Sequence, residues 1–215
     1  MPRSMRHDIS ISTVRRLSAY YRALRELRGE GIAVASSQLL AERSGVTPAQ
    51  LRKDLSCFGH FGTRGRGYDL DSLTHELRSI LGLDRRWRVG LIGAGNVGSA
   101  LFSYAPFREQ GFDVVAIYDV DPAKIGQVWD GVRIAAIDEL RPGAGRVEPL
   151  DIAVLAVPAA AAQEVSDLVV AAGVRAILNF APRKISVPDT VALRTVDMAI
   201  ELEALSFALR FLAGR

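Results

Sequence analysis

The first third of the chain has the spacing of apolar residues that is typical of helices. Over residues 12–28, apolar side chains recur at steps of three and four with arginines between them, which predicts a long amphipathic helix. Two further helices are predicted over 36–41 and 71–81, and Gly82 closes the latter. This part of the chain is therefore predicted to be a small helical domain.

The segment 47–58 predicts another helix, with a well-defined start. Thr47 can act as N-cap, Pro48 suits the first helical position, and Gln50 stands where a capping box needs it. Three short helices with a tight turn before the third are the order of a helix-turn-helix. The glycine-rich stretch 59–67 cannot continue a helix, and we predict a β-hairpin wing with arginines at its tip.

After residue 88 the pattern changes to short runs rich in valine, isoleucine and alanine. Such runs are typical of buried parallel strands, and they lie at 89–92, 113–118, 152–157 and 176–178. Helices are predicted between them over 97–107 and 161–172. The alternation predicts an α/β fold, in which a winged helix-turn-helix precedes a Rossmann-like doubly wound parallel sheet.

Residues 198–212 predict a last helix that is apolar on most of its surface. Such a helix must bury two sides, so we expect it to pack into another subunit; the alternative is that it covers a sheet edge of its own domain. The predicted plan is a winged-helix domain, a linker, a Rossmann domain and a dimerisation helix, at 1–82, 83–88, 89–197 and 198–215.

Composition narrows the class of protein. Hydrophobic residues make up 49% of the chain, but no run of about 18 apolar residues occurs, so no membrane span is expected. The first eight residues lack the apolar core of a secretory signal, and a single cysteine fits a reducing compartment, so a cytoplasmic location is expected. Cys57 is predicted to be a buried, inert thiol; the alternative is a thiol that responds to oxidants. The histidines share no metal-ligand spacing, which predicts no metal site.

Charge is distributed unevenly along the chain. Residues 1–88 hold 16 basic and 9 acidic side chains, a net charge of +7, whereas residues 89–215 hold 11 basic and 15 acidic ones, a net charge of −4. A basic half joined to an acidic half indicates that the first half binds a polyanion such as nucleic acid. The alternative is a solvated, arginine-rich helix surface.

A glycine-rich loop lies between the first predicted strand of the sheet and the helix that follows. Gly93 permits a tight turn, Gly95 lets the backbone approach a pyrophosphate, and Gly98 allows close packing of helix on strand. We predict that the whole loop contacts a dinucleotide: Gly93, Ala94, Gly95, Asn96, Val97 and Gly98. The alternative is a Rossmann-like domain that binds another nucleotide, such as coenzyme A, or none.

Asp119 closes the next predicted strand, at the place where a carboxylate binds the adenosine ribose hydroxyls. This carboxylate favours NAD(H) over NADP(H), and Lys124 lies near enough to weaken the preference slightly. Two later strand ends are predicted to line the nicotinamide end, although proline there could equally serve only to end the strands. Their residues are Val157, Pro158, Asn179, Phe180, Ala181 and Pro182. No acid/base group for hydride transfer stands out, which argues that the dinucleotide is a signal.

The third helix and the glycine-rich stretch carry the candidate DNA contacts. Arg52 and Lys53 lie in the middle of the helix, where arginine can grip guanine and lysine can bind guanine or phosphate. Arg64 and Arg66 lie in the narrow glycine-rich loop, which could enter a minor groove; the alternative is a hairpin with solvated arginines. Further contacts to phosphates or base edges are predicted for Thr47, Gln50 and Ser56.

Four sequence blocks together resemble the Rex family of redox-sensing transcriptional repressors. They begin at Arg52, Phe61, Gly93 and Leu178 and read RKDLSCFG, FGTRGRGY, GAGNVG and LNFAP. The resemblance covers roughly residues 12–212. It implies a bacterial homodimer with an exchanged last helix, which binds palindromic operators of respiratory and fermentative genes and leaves them when NADH rises, while NAD⁺ competes weakly.

The resemblance also implies a set of switch residues. Tyr104 looks like a tyrosine that moves near the nicotinamide, and Asp197 looks like an aspartate that pairs with that tyrosine at the subunit interface. Arg22 looks like their cationic partner on the first helix. Met198 stands where some relatives have phenylalanine, and a thioether can still pack on a ring. Two other functions remain open from the residues alone: an NAD-dependent oxidoreductase and a coenzyme A-binding module, each with an accessory helical domain.

Overall fold

The computed structural model describes residues 9–62, 66–141 and 149–212, and the chain divides into two compact units, 1–85 and 86–215. Unit 1 is mainly helical. Its elements in chain order are α1 (Ile11–Gly29), β1 (Val34–Ala35), α2 (Ser37–Arg43), α3 (Pro48–Ser56), β2 (Tyr68–Asp69) and α4 (Leu70–Ile80). The four predicted helices are therefore present, each with its ends within two residues of the predicted ones.

Local capping explains why the helices of unit 1 begin where they do. In each case the residue before the helix accepts a hydrogen bond from the backbone N–H three residues further on, which satisfies a donor that has no partner inside the helix. The four capping side chains are Ser10, Ser36, Thr47 and Asp69. At Thr47 the predicted capping box is only half formed, because the Gln50 side chain donates to Asp54 at 2.8 Å.

The region of the predicted wing differs from the prediction. Residues 59–62 contain no strand, and β2 pairs in antiparallel fashion with β1, which the sequence did not indicate. Gly67 has a φ of +85°, and a Cβ there would lie 2.5 Å from the carbonyl oxygen of Ala35, so only glycine fits at this crossing. Residues 63–65, with Arg64, lie outside the described residues.

A buried carboxylate ties α1 to α3. Asp54 on α3 is only 3% exposed, and it accepts hydrogen bonds from Arg16 Nε at 2.6 Å and Arg16 Nη2 at 2.8 Å. It also accepts from the Tyr20 hydroxyl at 2.7 Å and from Gln50 Nε2. Burial alone would raise the pKa of Asp54, but the hydrogen bonds from Arg16, Tyr20 and Gln50 outweigh it and hold this pKa below its ordinary value. We call these four residues the Asp54 cluster.

The Asp54 cluster predicts a pH-dependent stability of unit 1. Because the pKa of Asp54 is lowered in the folded state, its contribution is present above the ordinary aspartate range and is lost as the pH falls through the folded value. Asp54→Asn should therefore weaken unit 1 by about 2–4 kcal/mol near neutral pH. Its difference from the wild type should shrink below about pH 4. Hydrogen exchange of α1 and α3 peptides, compared at each pH, measures this.

The matched control for that experiment is Asp71→Asn. Asp71 pairs with Arg28, but its side chain is 72% exposed, so its loss should cost at most about 1 kcal/mol. If the two variants gave equal protection of α3 at neutral pH, the Asp54 cluster would not stabilise the unit.

Unit 2 is built on a sheet of seven strands in the order β5-β6-β4-β3-β7-β8-β9. All neighbours pair in parallel except β5 and β6, which are antiparallel. The strands are β3 (Trp87–Ile92), β4 (Phe112–Asp119), β5 (Val128–Trp129), β6 (Val132–Ala136), β7 (Ile152–Leu155), β8 (Ala176–Asn179) and β9 (Ala192–Thr195). Without the edge strand β5, this is the order of a doubly wound dinucleotide-binding sheet, as predicted.

Helices cover both faces of the sheet. The helices of this unit are α5 (Asn96–Phe102), α6 (Ala105–Glu109), α7 (Ala162–Ala171) and α8 (Met198–Leu212). Ile92 and Leu155 belong to the core on the face that packs against α7, whereas Leu91 and Val154 belong to the core on the opposite face, which includes Leu101 of α5. The alternation along each strand places an apolar layer on both sides, so the strands read as continuous apolar runs.

Several predicted elements of unit 2 need correction. The predicted helix 97–107 is two helices, α5 and α6, because Pro106 has no N–H to donate to the preceding turn. Tyr104 therefore caps α6 instead of lying inside a helix. β3 starts at Trp87, so the last two residues of the predicted linker belong to the sheet. β5, β6 and β9 were not predicted.

The helix α8 has the predicted bounds, and every one of its residues is exposed. Phe207 is 66% and Phe211 is 64% exposed, and their rings lie 4.6 Å apart. The alternative that α8 covers a sheet edge of its own domain is therefore wrong. Among the residues that the structure describes, no helix is both long and apolar enough to cross a membrane.

Candidate functional site

A cleft of about 510 Å³ lies at the carboxyl ends of β3, β4 and β7. The strand order reverses between β3 and β7, and this switch point is where open parallel sheets bind their ligands. The volume lies in the range of clefts that bind small molecules. Unit 2 thus has a ligand-sized cleft at the position where its topology predicts one.

The glycine loop forms one wall of the cleft. Gly93 has a φ of +103°, and a Cβ there would lie 2.4 Å from the Ala156 carbonyl oxygen. A Cβ on Gly98 would lie 1.9 Å from the carbonyl oxygen of Gly93, so α5 packs directly on the loop. Gly95 is different, because nothing lies within 4 Å of its Cβ position. Gly93 and Gly98 are needed for the fold, and Gly95 leaves open space for a ligand's phosphates.

Asp119 ends β4 at the cleft and is held by backbone N–H groups. Its Oδ2 accepts from Ala94 N at 2.7 Å, and its Oδ1 accepts from Val120 N at 2.8 Å and Asp121 N at 2.9 Å. Burial alone would raise the pKa of Asp119, but these hydrogen bonds and the charge of Lys124 lower it below its ordinary value. The group is therefore a fixed carboxylate, which can accept hydrogen bonds from ribose hydroxyls.

Lys124 lies between two carboxylates of the same loop. Its Nζ is 3.5 Å from Asp119 Oδ2 and 3.6 Å from Asp121 Oδ2. One ammonium thus faces two carboxylates, and the local charge is net negative. Such a charge disfavours the extra ribose phosphate of NADP(H), in agreement with the preference expected from Asp119.

Most of the predicted ligand contacts line this cleft: Gly93, Gly95, Asn96, Val97, Asp119, Lys124, Val157 and Pro158. Ala94 and Gly98 support it from behind, through the hydrogen bond to Asp119 and the packing of α5. Sequence reasoning missed further lining residues: Ile92, Tyr118, Val120, Asp121, Ile137, Ala156, Ala161 and Val165. The first residues after each strand end were a usable signal, because Val120 and Asp121 directly follow Asp119.

The loop after β8 is held by one of its own side chains, and its predicted contact with the nicotinamide stays a prediction. Asn179 is completely buried, and its side chain donates to the carbonyls of Ala181 and Arg183 and accepts from Ala181 N at 3.0 Å. Neither Asn179 nor Phe180, Ala181 and Pro182 is among the residues that line the cleft. In the described structure the Asn179 side chain shapes its own loop.

The residues of the implied switch lie in both units. Arg22 is exposed on α1 in unit 1. In unit 2, Tyr104 is 52% exposed at the break between α5 and α6, with its ring 5.1 Å from that of Phe107. Asp197 accepts a hydrogen bond from Ala199 N at 2.9 Å at the start of α8, and the adjacent Met198 is 62% exposed. Arg22, Tyr104 and Met198 are thus exposed in the single chain, and Asp197 is half-buried.

The candidate DNA surface is the outer face of α3. Arg52, Lys53 and Ser56 are exposed there, whereas Leu51, Asp54 and Leu55 are buried on the opposite side. Arg52 Nη1 donates to Ser37 Oγ at 2.9 Å, and Ser56 Oγ donates to the Lys53 carbonyl at 2.7 Å. The surface therefore presents two cations side by side.

The other predicted DNA contacts are less uniform. Thr47 is exposed but acts as the N-cap of α3, and Arg66 is exposed near the end of the glycine-rich stretch. Gln50 is half-buried, and its amide belongs to the Asp54 cluster. Cys57, predicted to be buried, is exposed, and its thiol lies 3.4 Å from the Lys53 carbonyl oxygen. In the described ranges, no group of three or more potential ligands could hold a metal ion.

Two family models each match part of the chain, and curated relatives match nearly all of it. The model of a "Putative DNA-binding protein N-terminus" matches residues 8–56, and that of a "CoA binding domain" matches residues 84–183. The redox-sensing transcriptional repressor Rex of Syntrophomonas wolfei is 50% identical over 198 residues, which are 92% of this chain and 94% of that protein. The Rex of Desulfitobacterium hafniense is 47% identical over 91% of this chain and 93% of that protein.

This chain belongs to the Rex family. Solved Rex-family structures agree with that assignment over nearly the full length. RSP, a Rex-family repressor, in complex with β-NAD⁺ and operator DNA has a TM-score of 0.87 and 36% identity, and the match covers 95% of this chain and 94% of that one. RSP in complex with β-NADH has a TM-score of 0.84 and 34% identity, with 97% of each chain covered.

The glycine loop of this Rex-family chain predicts two different outcomes for the same substitution. Gly98→Ala should destabilise unit 2 by about 3 kcal/mol, because the new Cβ has no space against Gly93. Gly95→Ala should change stability by less than about 0.5 kcal/mol but weaken dinucleotide binding. Thermal unfolding followed by tryptophan fluorescence measures the first effect, since Trp87 and Trp129 both lie in unit 2.

Binding of NADH, followed by fluorescence of the reduced nicotinamide, measures the second effect. Gly95→Ala serves as the control for the stability of Gly98→Ala, because both add one methyl group to the same loop. Equal unfolding temperatures for the two variants would contradict the packing argument. Unchanged NADH affinity of Gly95→Ala would contradict the prediction that the phosphates of the ligand lie against the backbone at Gly95.

Proposed function

We propose that this chain is a redox-sensing transcriptional repressor, which binds operator DNA through unit 1 and NAD(H) through unit 2. The observation that carries the proposal is the presence, in one chain, of a cationic recognition-helix face and of a glycine-loop cleft at the switch point of a doubly wound sheet. The proposal includes a cytoplasmic homodimer that acts on respiratory and fermentative genes.

The DNA contacts follow from what is exposed. Arg52 and Lys53 are the proposed base and phosphate contacts, because they lie side by side on the outer face of α3. Thr47 and Ser56 lie near the two ends of that face and would bind phosphate. Arg64 and Arg66 are proposed to enter the minor groove. Two such faces, one from each subunit, would match the half-sites of a palindromic duplex.

The residues of the cleft fit a dinucleotide. Gly93, Gly95 and Asn96 would hold the pyrophosphate through backbone N–H groups, and Asp119 would accept hydrogen bonds from the adenosine ribose. Val157 and Pro158 supply apolar surface towards the nicotinamide end. Coenzyme A is the second candidate ligand, because the family model that matches this unit has that description, but Asp119 then has no clear role.

The switch is proposed to be a shift between two states of the dimer. A bound dinucleotide supplies a nicotinamide ring that is neutral when reduced and positive when oxidised. Apolar surroundings favour the neutral ring, because burying an unpaired charge is costly. Arg22, Tyr104, Asp197 and Met198 are the residues proposed to respond. The reduced form must prefer the DNA-free state by several kcal/mol to release the operator.

The first test is release from DNA. Fluorescence anisotropy of an A·T-rich palindromic duplex, titrated at fixed salt with NADH, NAD⁺ or coenzyme A, should show release by NADH but not by equal NAD⁺. Because linkage is reciprocal, the DNA-free dimer should also bind NADH more tightly than the DNA-bound one. Tight operator binding that neither NADH nor NAD⁺ changes would leave a repressor without a sensor. Absence of specific binding would refute the proposal.

The proposed dimer rests on α8. Its aromatic and aliphatic side chains are exposed over the whole helix, and burial of that surface in a partner subunit would remove it from water. Phe207→Glu combined with Phe211→Glu should give monomers in sedimentation velocity, because two buried charges would be unpaired. Arg210→Glu is the control, since it changes a polar position of the same helix. A double variant that remained dimeric would rule out α8 as the interface.

A further inference from the structure

On the recognition helix α3, the proposed DNA contacts Arg52 and Lys53 lie directly before Asp54, the residue that holds the helix against α1. Arg52 and Lys53 are exposed, and the following residue, Asp54, is 3% exposed. Successive residues on a helix point about 100° apart, so the direction in which Lys53 points is set by the direction in which Asp54 is held. Any rotation of α3 that released Asp54 would turn both cations away from their present face.

The contacts of Asp54 restrain that rotation from another element. Arg16 and Tyr20 lie one turn apart on the same side of α1, and both donate to the Asp54 carboxylate. Arg16 approaches with two nitrogen atoms, at 2.6 Å and 2.8 Å, which fixes the plane of the carboxylate as well as its position. Tyr20 is fully buried, so this arm of the cluster cannot swing out into solvent.

Gln50 completes the cluster from within α3. It lies one turn before Asp54, is half-buried, and gives its amide to Asp54 Oδ1 at 2.8 Å. That bond directs the amide towards the inner side of α3, where Asp54 is buried.

We propose that Arg16, Tyr20, Gln50 and Asp54 are positioning residues for operator recognition, which fix the rotation of α3 so that Arg52 and Lys53 face the groove. This inference rests on the proposed function, because it needs a specific operator. It assigns to Gln50 a role in holding α3 and not in reading a base. It also places a determinant of sequence discrimination on α1, away from the recognition helix.

A positioning role differs measurably from a purely structural one. Non-specific binding depends on the number of cations near phosphates, and a slight rotation of α3 that does not release Asp54 leaves Arg52 and Lys53 on the surface that faces the DNA. Specific binding depends on the direction of a few side chains towards base edges. Loss of positioning therefore lowers operator affinity alone, whereas loss of folded protein lowers binding to every duplex in equal proportion.

The test uses the full-length protein with Tyr20→Phe, which removes one hydroxyl from the cluster and keeps the ring. Tyr21→Phe is the matched control, since it removes a hydroxyl from the adjacent buried residue, which does not contact Asp54. Anisotropy is measured on an A·T-rich palindrome that the wild type binds and on a scrambled duplex of equal length, over a range of salt concentrations. Circular dichroism checks the folded fraction of each variant.

Tyr20→Phe should lose about tenfold in operator affinity, with less than about a twofold change on the scrambled duplex and an unchanged salt slope. Tyr21→Phe should stay within about twofold of the wild type on both duplexes. Equal losses on the two duplexes, or operator affinity equal to that of Tyr21→Phe, would overturn the inference. A wild type that prefers no duplex would refute the proposed function itself and this inference with it.

Gln50→Leu gives a second readout, which does not depend on the folding of the Tyr20 variant. On a panel of operators with single base-pair changes, a positioning role predicts that Gln50→Leu weakens all of them by a similar factor. A base-reading role predicts loss of discrimination at one base pair only, and that result would overturn the assignment of Gln50.

Discussion

The contact between Gly98 and the carbonyl of Gly93 is the constraint on which the ligand cleft depends. Because Gly93 and Gly98 carry no Cβ, α5 can start directly against the end of β3. The chain then returns to the sheet beside β3, and the carboxyl ends of β3, β4 and β7 enclose the cleft. The conformation of the loop and the direction of the first N–H groups of α5 follow from this close approach.

The two units hold their key carboxylates by different means. Asp119 is fixed by the N–H groups of its own loop and of the glycine loop, so its position is a property of the backbone. Asp54 is fixed by side chains, two of them from another helix. Substitutions near Asp119 should therefore be tolerated better than substitutions near Asp54, where each partner is a particular side chain.

Features that depend on neighbouring residues were predictable from the sequence, and features that depend on distant ones were not. The N-cap at Thr47 and the glycine loop with Asp119 are each indicated by residues close together in the sequence, and both are present where expected. The pairing of Arg16 with Asp54 joins residues 38 positions apart, and no local pattern indicates it. The same holds for Asn179, whose exposure could not be judged before the loop around it was known.

The exposure of α8 has a consequence for how the protein is made and maintained. An isolated helix of 15 residues is only marginally stable in water, and α8 has no buried residue in its own chain. In the proposed dimer its order would come from the partner subunit, which would make the completion of folding a bimolecular event governed by mass action. The abundance of the protein in the cell would then set how quickly each newly synthesised copy reaches its final form.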